Sequence, residues 1–360
     1  MSASPPLLEV AGLTKHFEMK SGWFGSAPPP LRAVDGLNFT IRSGRTLALV
    51  GESGCGKSTT GRLLIRLIEA TAGSVRFDGN EVLTATGAEL SALRRRMQII
   101  FQDPYSSLDP RMTIGQILAE PLAIHGIGSR ADRRNSVRAM LSAVGLAPEY
   151  AGRYPHGFSG GQRQRIGIAR ALVLDPQFVV CDEPVSALDV SIQAQIVNLL
   201  KHLQRERGLA YLFISHDLSV VKHKADEVAV IYLGRIVEIA EKRRLYNAPQ
   251  HPYTRALLSA IPVPDPKRQR RRMVLGGEPP DALRPPSGCR FRGQCPFAQP
   301  VCADADPPLA RIAPDHAVAC HFAGRLTTVD AFPLVQTVAA AALEPSPSPF
   351  TSFKPMEIRA

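Results

Sequence analysis

"TLALVGESGCGKST", Thr46 to Thr59, is the stretch on which the reading of this chain turns. It opens with "TLALVG", a continuous apolar run of the kind that fills a strand buried on both faces, as in a parallel sheet. The next residues, Gly51 to Ser58, fit G-x-x-x-x-G-K-[ST] at every fixed position, and a helix-like segment, Lys57 to Ile68, follows. Glycines let successive backbone N–H groups turn inward around an anion, and the helix that begins there aims its positive end at the same point. Gly51, Glu52, Ser53, Gly54, Cys55, Gly56, Lys57, Ser58 and Thr59 are therefore predicted to cradle nucleotide phosphates. In that cradle Lys57 reaches the β- and γ-phosphates, and the Ser58 hydroxyl is a ligand for Mg²⁺.

Working outward, "FVVCDE" (Phe178 to Glu183) and "AYLFISHD" (Ala210 to Asp217) read as two more buried strands, separated by a helical segment, Ser191 to Arg207. Shorter strands are expected over Leu7 to Phe17 and Leu37 to Ile41, joined by the Gly- and Pro-rich "MKSGWFGSAPPPLRAVDG", read as a loop. Strands alternating with helices predict an α/β fold around a mostly parallel sheet. "FVVCDE" delivers two carboxylates to a strand end. Asp182 is placed on the Mg²⁺ shell, and Glu183 is the group that polarises the attacking water. Residues 104–157 carry helical patterns and few strand signals, so they are read as a helical insertion. From about residue 240 the composition shifts toward Pro and Arg. Residues 1–244 are taken as the core unit, 245–323 as a compact extension, and 324–360, Pro- and Ser-rich, as a disordered tail.

The 360 residues carry a net charge of +11, part of it in "KRQRRR" (Lys267 to Arg272). A surplus of that size is compatible with nucleic acid or with an anionic membrane face, so it names no partner by itself. No run of 18 apolar residues spans a bilayer, and "MSASPPLLEV" lacks the layout of a signal peptide, which places the chain in the cytosol. In that compartment six cysteines are not read as three disulfides.

"FSGGQRQR", Phe158 to Arg165, supplies a second helix start suited to an anion, and one nucleotide needs only one. With it the chain resembles the ATP-binding cassette family, whose SGGQ signature lies between the phosphate loop and the carboxylate strand. The resemblance implies a P-loop, RecA-like cassette with a helical insertion and a C-terminal extension, working on ATP and Mg²⁺. It also implies that two cassettes meet head to tail, so that Ser159, Gly160, Gly161 and Gln162 face the nucleotide held by a partner. Gln102 in "IIFQDP" matches the glutamine joining Mg²⁺ and water to the transporter interface. "SALD", Ser186 to Asp189, matches the loop at the dimer interface, and His216 in "ISHD" the histidine at the γ-phosphate. Phe17 is the candidate for stacking on adenine. Phe158 stands where Leu is usual, and its ring is expected to fill the same packing space.

Two kinds of cassette protein are weighed. A soluble ATPase acting on nucleic acid or the ribosome needs a long coiled-coil insertion or two cassettes in one chain, and neither is present in the sequence. "HPYTRALLSAIPVPDP" (His251 to Pro266) and "GEPPDALRPPSGCRFRGQCP" resemble instead the C-terminal segment of oligopeptide and dipeptide permease ATP-binding subunits, in their F-type form. That resemblance implies an importer motor at the cytoplasmic face of the inner membrane. Its partners would be two permease subunits, a second ATP-binding subunit and an extracytoplasmic substrate-binding protein, with no nucleic acid. "FQDPYSSLDPRMT" is the candidate contact for a permease. His251 is read as a packing residue.

Four cysteines, Cys289, Cys295, Cys302 and Cys320, follow as C-x5-C-x6-C-x17-C, a spacing that fits structural zinc poorly. Free thiols, zinc and an iron–sulfur cluster stay open on spacing alone. The permease resemblance implies a [4Fe–4S] cluster on these four. Cys55 and Cys181 are read as packing residues, with Cys55 close enough to phosphate-binding amides to be open to oxidation.

Overall fold

The computed structural model describes residues 5–19, 29–103, 105, 107–261, 273, 275–277 and 280–326. Strands β1 (Leu8–Phe17), β2 (Leu31–Ile41) and β3 (Thr46–Val50) lead into helix α1 (Lys57–Leu64). Then come β4 (Ala72–Phe77), β5 (Asn80–Glu81), α2 (Gly87–Arg96) and β6 (Met97–Ile100). Helices α3 (Ile114–Ile124), α4 (Arg130–Ala143) and α5 (Gly160–Leu172) follow, then β7 (Phe178–Asp182), α6 (Val190–Arg207) and β8 (Ala210–Ser215). The order continues with α7 (Leu218–Lys224), β9 (Glu227–Tyr232), β10 (Arg235–Glu241), α8 (Lys242–Asn247) and α9 (Pro252–Ser259). Helix α10 (Val301–Asp304) and strands β11 (Ala310–Ala313) and β12 (His316–Val318) complete the described elements.

Among the described residues these strands form two sheets. One is antiparallel in the order β2-β1-β4-β5; the other runs β11-β12-β10-β9-β3-β8-β7-β6. Within the second, β9, β3, β8, β7 and β6 are mutually parallel, and β10 and β12 extend it antiparallel. Alternation along the parallel strands explains their unbroken apolar runs. Ala48, Val50, Val179, Cys181, Tyr211 and Phe213 face one core; Leu47, Leu49, Phe178, Val180, Leu212 and Ile214 face the other. A strand with no solvent face has no place for polar residues.

The insertion between β6 and β7 is helical. Helices α3 and α4 each begin with a capping box, Thr113 with Gln116 and Ser129 with Asp132, and bury Ile117, Leu118, Val137 and Leu141 in the first core. Each box satisfies backbone N–H groups that a helix start otherwise leaves without partners.

Two local expectations change. Leu31 to Gly36, read as loop, belong to β2, because β1 offers a partner: Phe17 pairs with Leu31, His16 with Arg32 and Lys15 with Val34. Register shifts along that pair absorb the turn-forming Asp35–Gly36, so tertiary pairing overrides local composition. Helix α1 stops at Leu64 rather than Ile68, since Arg66 takes a left-handed backbone at φ 52°. The basic run 267–272 and the tail from 327 on lie outside the described residues.

Residues after 245 do not stand apart from the sheet. Strand β12 pairs with β10, Glu238 opposite Val318. Glu238 is fully buried, and its carboxylate accepts the N–H groups of Gln250 (2.8 Å) and His251 (2.9 Å) and faces His316 Nε2 at 2.7 Å. Three partners are what a buried carboxylate requires.

Candidate active site

The ends of four adjacent parallel strands build the site. Strand order β3-β8-β7-β6 places the loop after β3, His216 after β8, Asp182 and Glu183 at the end of β7, and Gln102 after β6 along one edge of the sheet. Parallel sheets gather ligands at the carboxyl ends of their strands.

After β3, Gly56 is the residue before α1 and has φ 104°, and a Cβ there would overlap the Ala33 carbonyl. Only glycine fits such a turn. Lys57 is 4 % exposed, and its Nζ donates to the carbonyls of Gly51 and Glu52, both at 2.8 Å. Ser58 Oγ donates to Asp182 Oδ1 at 2.7 Å. Burial pushes the Asp182 carboxyl up from its ordinary value, against the bond from Ser58 and the charges of Arg62 and Lys57. A buried carboxylate beside a hydroxyl is a hard-oxygen pair that suits Mg²⁺.

Gln102 Nε2 donates to Glu183 Oε2 at 3.2 Å, and His216 Nδ1 meets the same oxygen at 3.1 Å. The carboxylate partner assigns the proton of His216 to Nδ1. Glu183 has a left-handed backbone, φ 45°, with its N–H donating to the Ile214 carbonyl at 3.1 Å.

The structure thus brings Lys57, Ser58, Asp182, Glu183, Gln102 and His216 together. The contacts of the signature run elsewhere. Ser159 caps α5, with Gln162 N–H donating to its Oγ at 3.3 Å and its own N–H donating to Gln162 Oε1 at 3.0 Å. A Cβ on Gly161 would lie 2.7 Å from Ile192 Cγ2, so any larger residue there has to displace the Ile192 side chain of α6. Phe158 is buried and packs edge-on against Tyr150, ring centroids 5.4 Å apart, which is the packing part expected of it. Asp189 is exposed at the start of α6. Phe17 ends β1, half-buried, with Lys15 Nζ 4.9 Å from its ring centre.

One contact had no signal in the motif. Tyr253, fully buried at the start of α9, accepts the Glu52 N–H at 3.0 Å. His251, fully buried too, caps α9 by accepting the Tyr253 N–H at Nδ1, 3.1 Å away, which makes it the packing residue expected.

Comparison with known proteins now bears on this geometry. The profile described as "ABC transporter" matches residues 34–186, and that described as "Oligopeptide/dipeptide transporter, C-terminal region" matches 237–302. The oligopeptide transport ATP-binding protein OppF of Escherichia coli is 55 % identical over 308 residues, covering 84 % of this chain and 92 % of OppF. The chain belongs to the ATP-binding cassette family. Among solved structures, the dimeric post-hydrolysis cassette MJ0796, bound to ADP and Pi, aligns with a TM-score of 0.58 at 28 % identity. It covers 66 % of this chain and 99 % of that one. CbiO1 of Clostridium perfringens, part of a cbiONQ transporter complex, aligns with a TM-score of 0.57 at 26 % identity, covering 68 % and 91 %. This cassette is therefore an ATPase of the transporter class, with the P-loop fold expected of it. Among its described residues no helix is long and apolar enough to cross a membrane.

The extension of the cassette bears on the cysteine expectation. Cys289, Cys295, Cys302 and Cys320 share one neighbourhood: burial pushes Cys289 up to about 11 and Cys295 up to about 12, with the other thiols adding to both. Yet among the described residues no three His, Cys, Asp or Glu groups come together as a set able to hold a metal ion. The [4Fe–4S] expectation therefore has no support beyond that shared neighbourhood. Cys55 is buried, and that burial raises its thiol against the pull of Lys57, which disfavours the thiolate on which oxidation depends.

Proposed function

We propose that this chain is the ATP-hydrolysing motor subunit of a peptide importer, docked on permease subunits at the cytoplasmic face of the membrane. The observation that carries the reading is the meeting of Gln102 and His216 on one oxygen of Glu183, beside the phosphate loop, in a chain with a peptide-transporter C-terminal region.

The residues divide the work as follows. N–H groups from Ser53 to Thr59 and the start of α1 hold the phosphates, and Lys57, steadied by the carbonyls of Gly51 and Glu52, turns its third N–H to them. Ser58 and Asp182 would hold Mg²⁺, with Gln102 near the same shell; the ion neutralises phosphate charge when bound. Glu183 takes the proton of the attacking water, and His216 orients that carboxylate and meets the γ-phosphate. Ser159, Gly160, Gly161 and Gln162 complete the site of a second, non-identical cassette, with Asp189 at the seam and Phe17 against adenine. "FQDPYSSLDPRMT" links Gln102 to a permease, and an extracytoplasmic binding protein delivers peptide. The finer expectation of a [4Fe–4S] cluster on Cys289, Cys295, Cys302 and Cys320 has only the shared neighbourhood of the thiols in its favour. Iron and sulfide assays on anaerobically purified protein test it.

Glu183→Gln tests the motor assignment. The amide keeps the shape but cannot take a proton, so ATP binding persists while hydrolysis falls about 10²- to 10⁴-fold. Labelled-peptide uptake, restored by the wild-type chain in cells lacking the subunit, stays absent with the variant. Full turnover by Glu183→Gln sinks the assignment.

A further inference from the structure

We propose that Tyr253, in the C-terminal region, is a positioning residue for Lys57, acting through the peptide group that joins Gly51 to Glu52. The inference rests on the nucleotide-site reading above. That peptide group is held at both ends. Its N–H, on Glu52, donates to the Tyr253 hydroxyl at 3.0 Å, and its carbonyl, on Gly51, accepts Lys57 Nζ at 2.8 Å. Hydrogen bonds in series through one amide polarise and strengthen one another.

Tyr253 cannot drift from this position. Its ring lies against Tyr232 and Phe291, with centroids 4.7 and 5.6 Å away. Its own backbone N–H is tied to His251 Nδ1, and the His251 N–H is tied to buried Glu238. The anchor thus runs from the central sheet through α9 to the phosphate loop. Without the hydroxyl, nothing in this contact fixes the plane of the Gly51–Glu52 peptide, and the carbonyl that steers Lys57 is free to turn. Held in place, Lys57 meets incoming phosphates pre-oriented, and ordering it is not charged to binding.

The test is calorimetric titration of the full-length chain with ATP and Mg²⁺, for wild type, Tyr253→Phe, Lys57→Ala and the double variant. Tyr253→Phe keeps the ring and removes the hydroxyl. It is expected to weaken ATP binding about two- to tenfold, the range for one hydrogen bond. In the Lys57→Ala background the same change is expected to have less than half that effect, because the group it positions is gone. Unchanged affinity in Tyr253→Phe overturns the proposal. So does an equal loss in both backgrounds, which marks Tyr253 as packing only. If wild type binds no ATP, or Lys57→Ala binds as tightly as wild type, the nucleotide-site reading fails first and takes the proposal with it. Residue-resolved hydrogen exchange on the unmodified chain serves should the Tyr253 variant not fold. The Glu52 amide is expected to exchange at least tenfold more slowly than that of Ser53, and equal rates overturn the proposal.

Discussion

His251 shows how far one side chain can govern local stability here. Its Nδ1 accepts the Tyr253 N–H, so the ring must be neutral, and burial holds its pKa down at about 4, against a smaller upward pull from Glu238. The unfolded chain protonates this histidine below about 6.5, while the folded chain resists protonation until about 4. The unfolded state therefore binds more protons in that window, and stability falls as pH drops from about 6.5 to about 4, by up to about 3 kcal/mol. Melting temperatures measured across that range should fall more steeply for wild type than for His251→Asn, whose side-chain oxygen keeps the cap without titrating. Equal slopes would remove His251 from the account. The motif residues Lys57, Ser58, Asp182 and Glu183 were legible as chemistry from their sequence alone. The bond from Glu52 to Tyr253 was not, since the two are 201 positions apart and a tyrosine after His-Pro carries no mark of its destination.

At the scale of elements, the legible strands were those with no solvent face. The runs at β3, β7 and β8 are apolar throughout because each side meets a core. The first half of β2 was hidden, since its residues form a strand only because β1 lies alongside. Gln102, Glu183 and His216 were separately readable, yet their convergence depends on β6, β7 and β8 being neighbours, a fact of topology that no single segment carries. Helix α5 offers a test of element packing. Gly161 faces Ile192 of α6 with no room for a methyl group. Gly161→Ala should destabilise the fold by about 1–3 kcal/mol in denaturant unfolding. Adding Ile192→Ala, which makes space, should leave a total below the sum of the two single losses. Additive losses would mean that the helices do not meet at this point.

The whole molecule is tied across its length by a buried ion pair. Arg290, 7 % exposed, bonds Asp35, 13 % exposed, and also the Leu233 carbonyl. Burial alone would push the Asp35 carboxyl up; the bonds of Arg290, helped by Arg235 and His16, hold it below its ordinary value instead. Arg290→Leu leaves Asp35 with Arg235 and His16 alone and should lower unfolding free energy by about 1–2 kcal/mol. Arg290→Lys should recover part of that, since an ammonium keeps the charge but lacks the planar fork whose separate nitrogens reach Leu233 and Asp35. Urea titration of the two variants checks the order, and a harmless Arg290→Leu would show the tie to be ornamental.

Strand β12 lies along β10, where the main sheet would otherwise end. A strand left at the rim of a sheet presents a row of unpaired N–H and C=O groups, ready to pair with another chain. Residues 310–318, paired as β11 and β12, thus cover that row on β10 and leave only the four-residue β11 at the rim. The cassette cannot be trimmed back to its nucleotide-binding segment without baring β10, and a chain shortened before residue 310 would offer that edge to another chain.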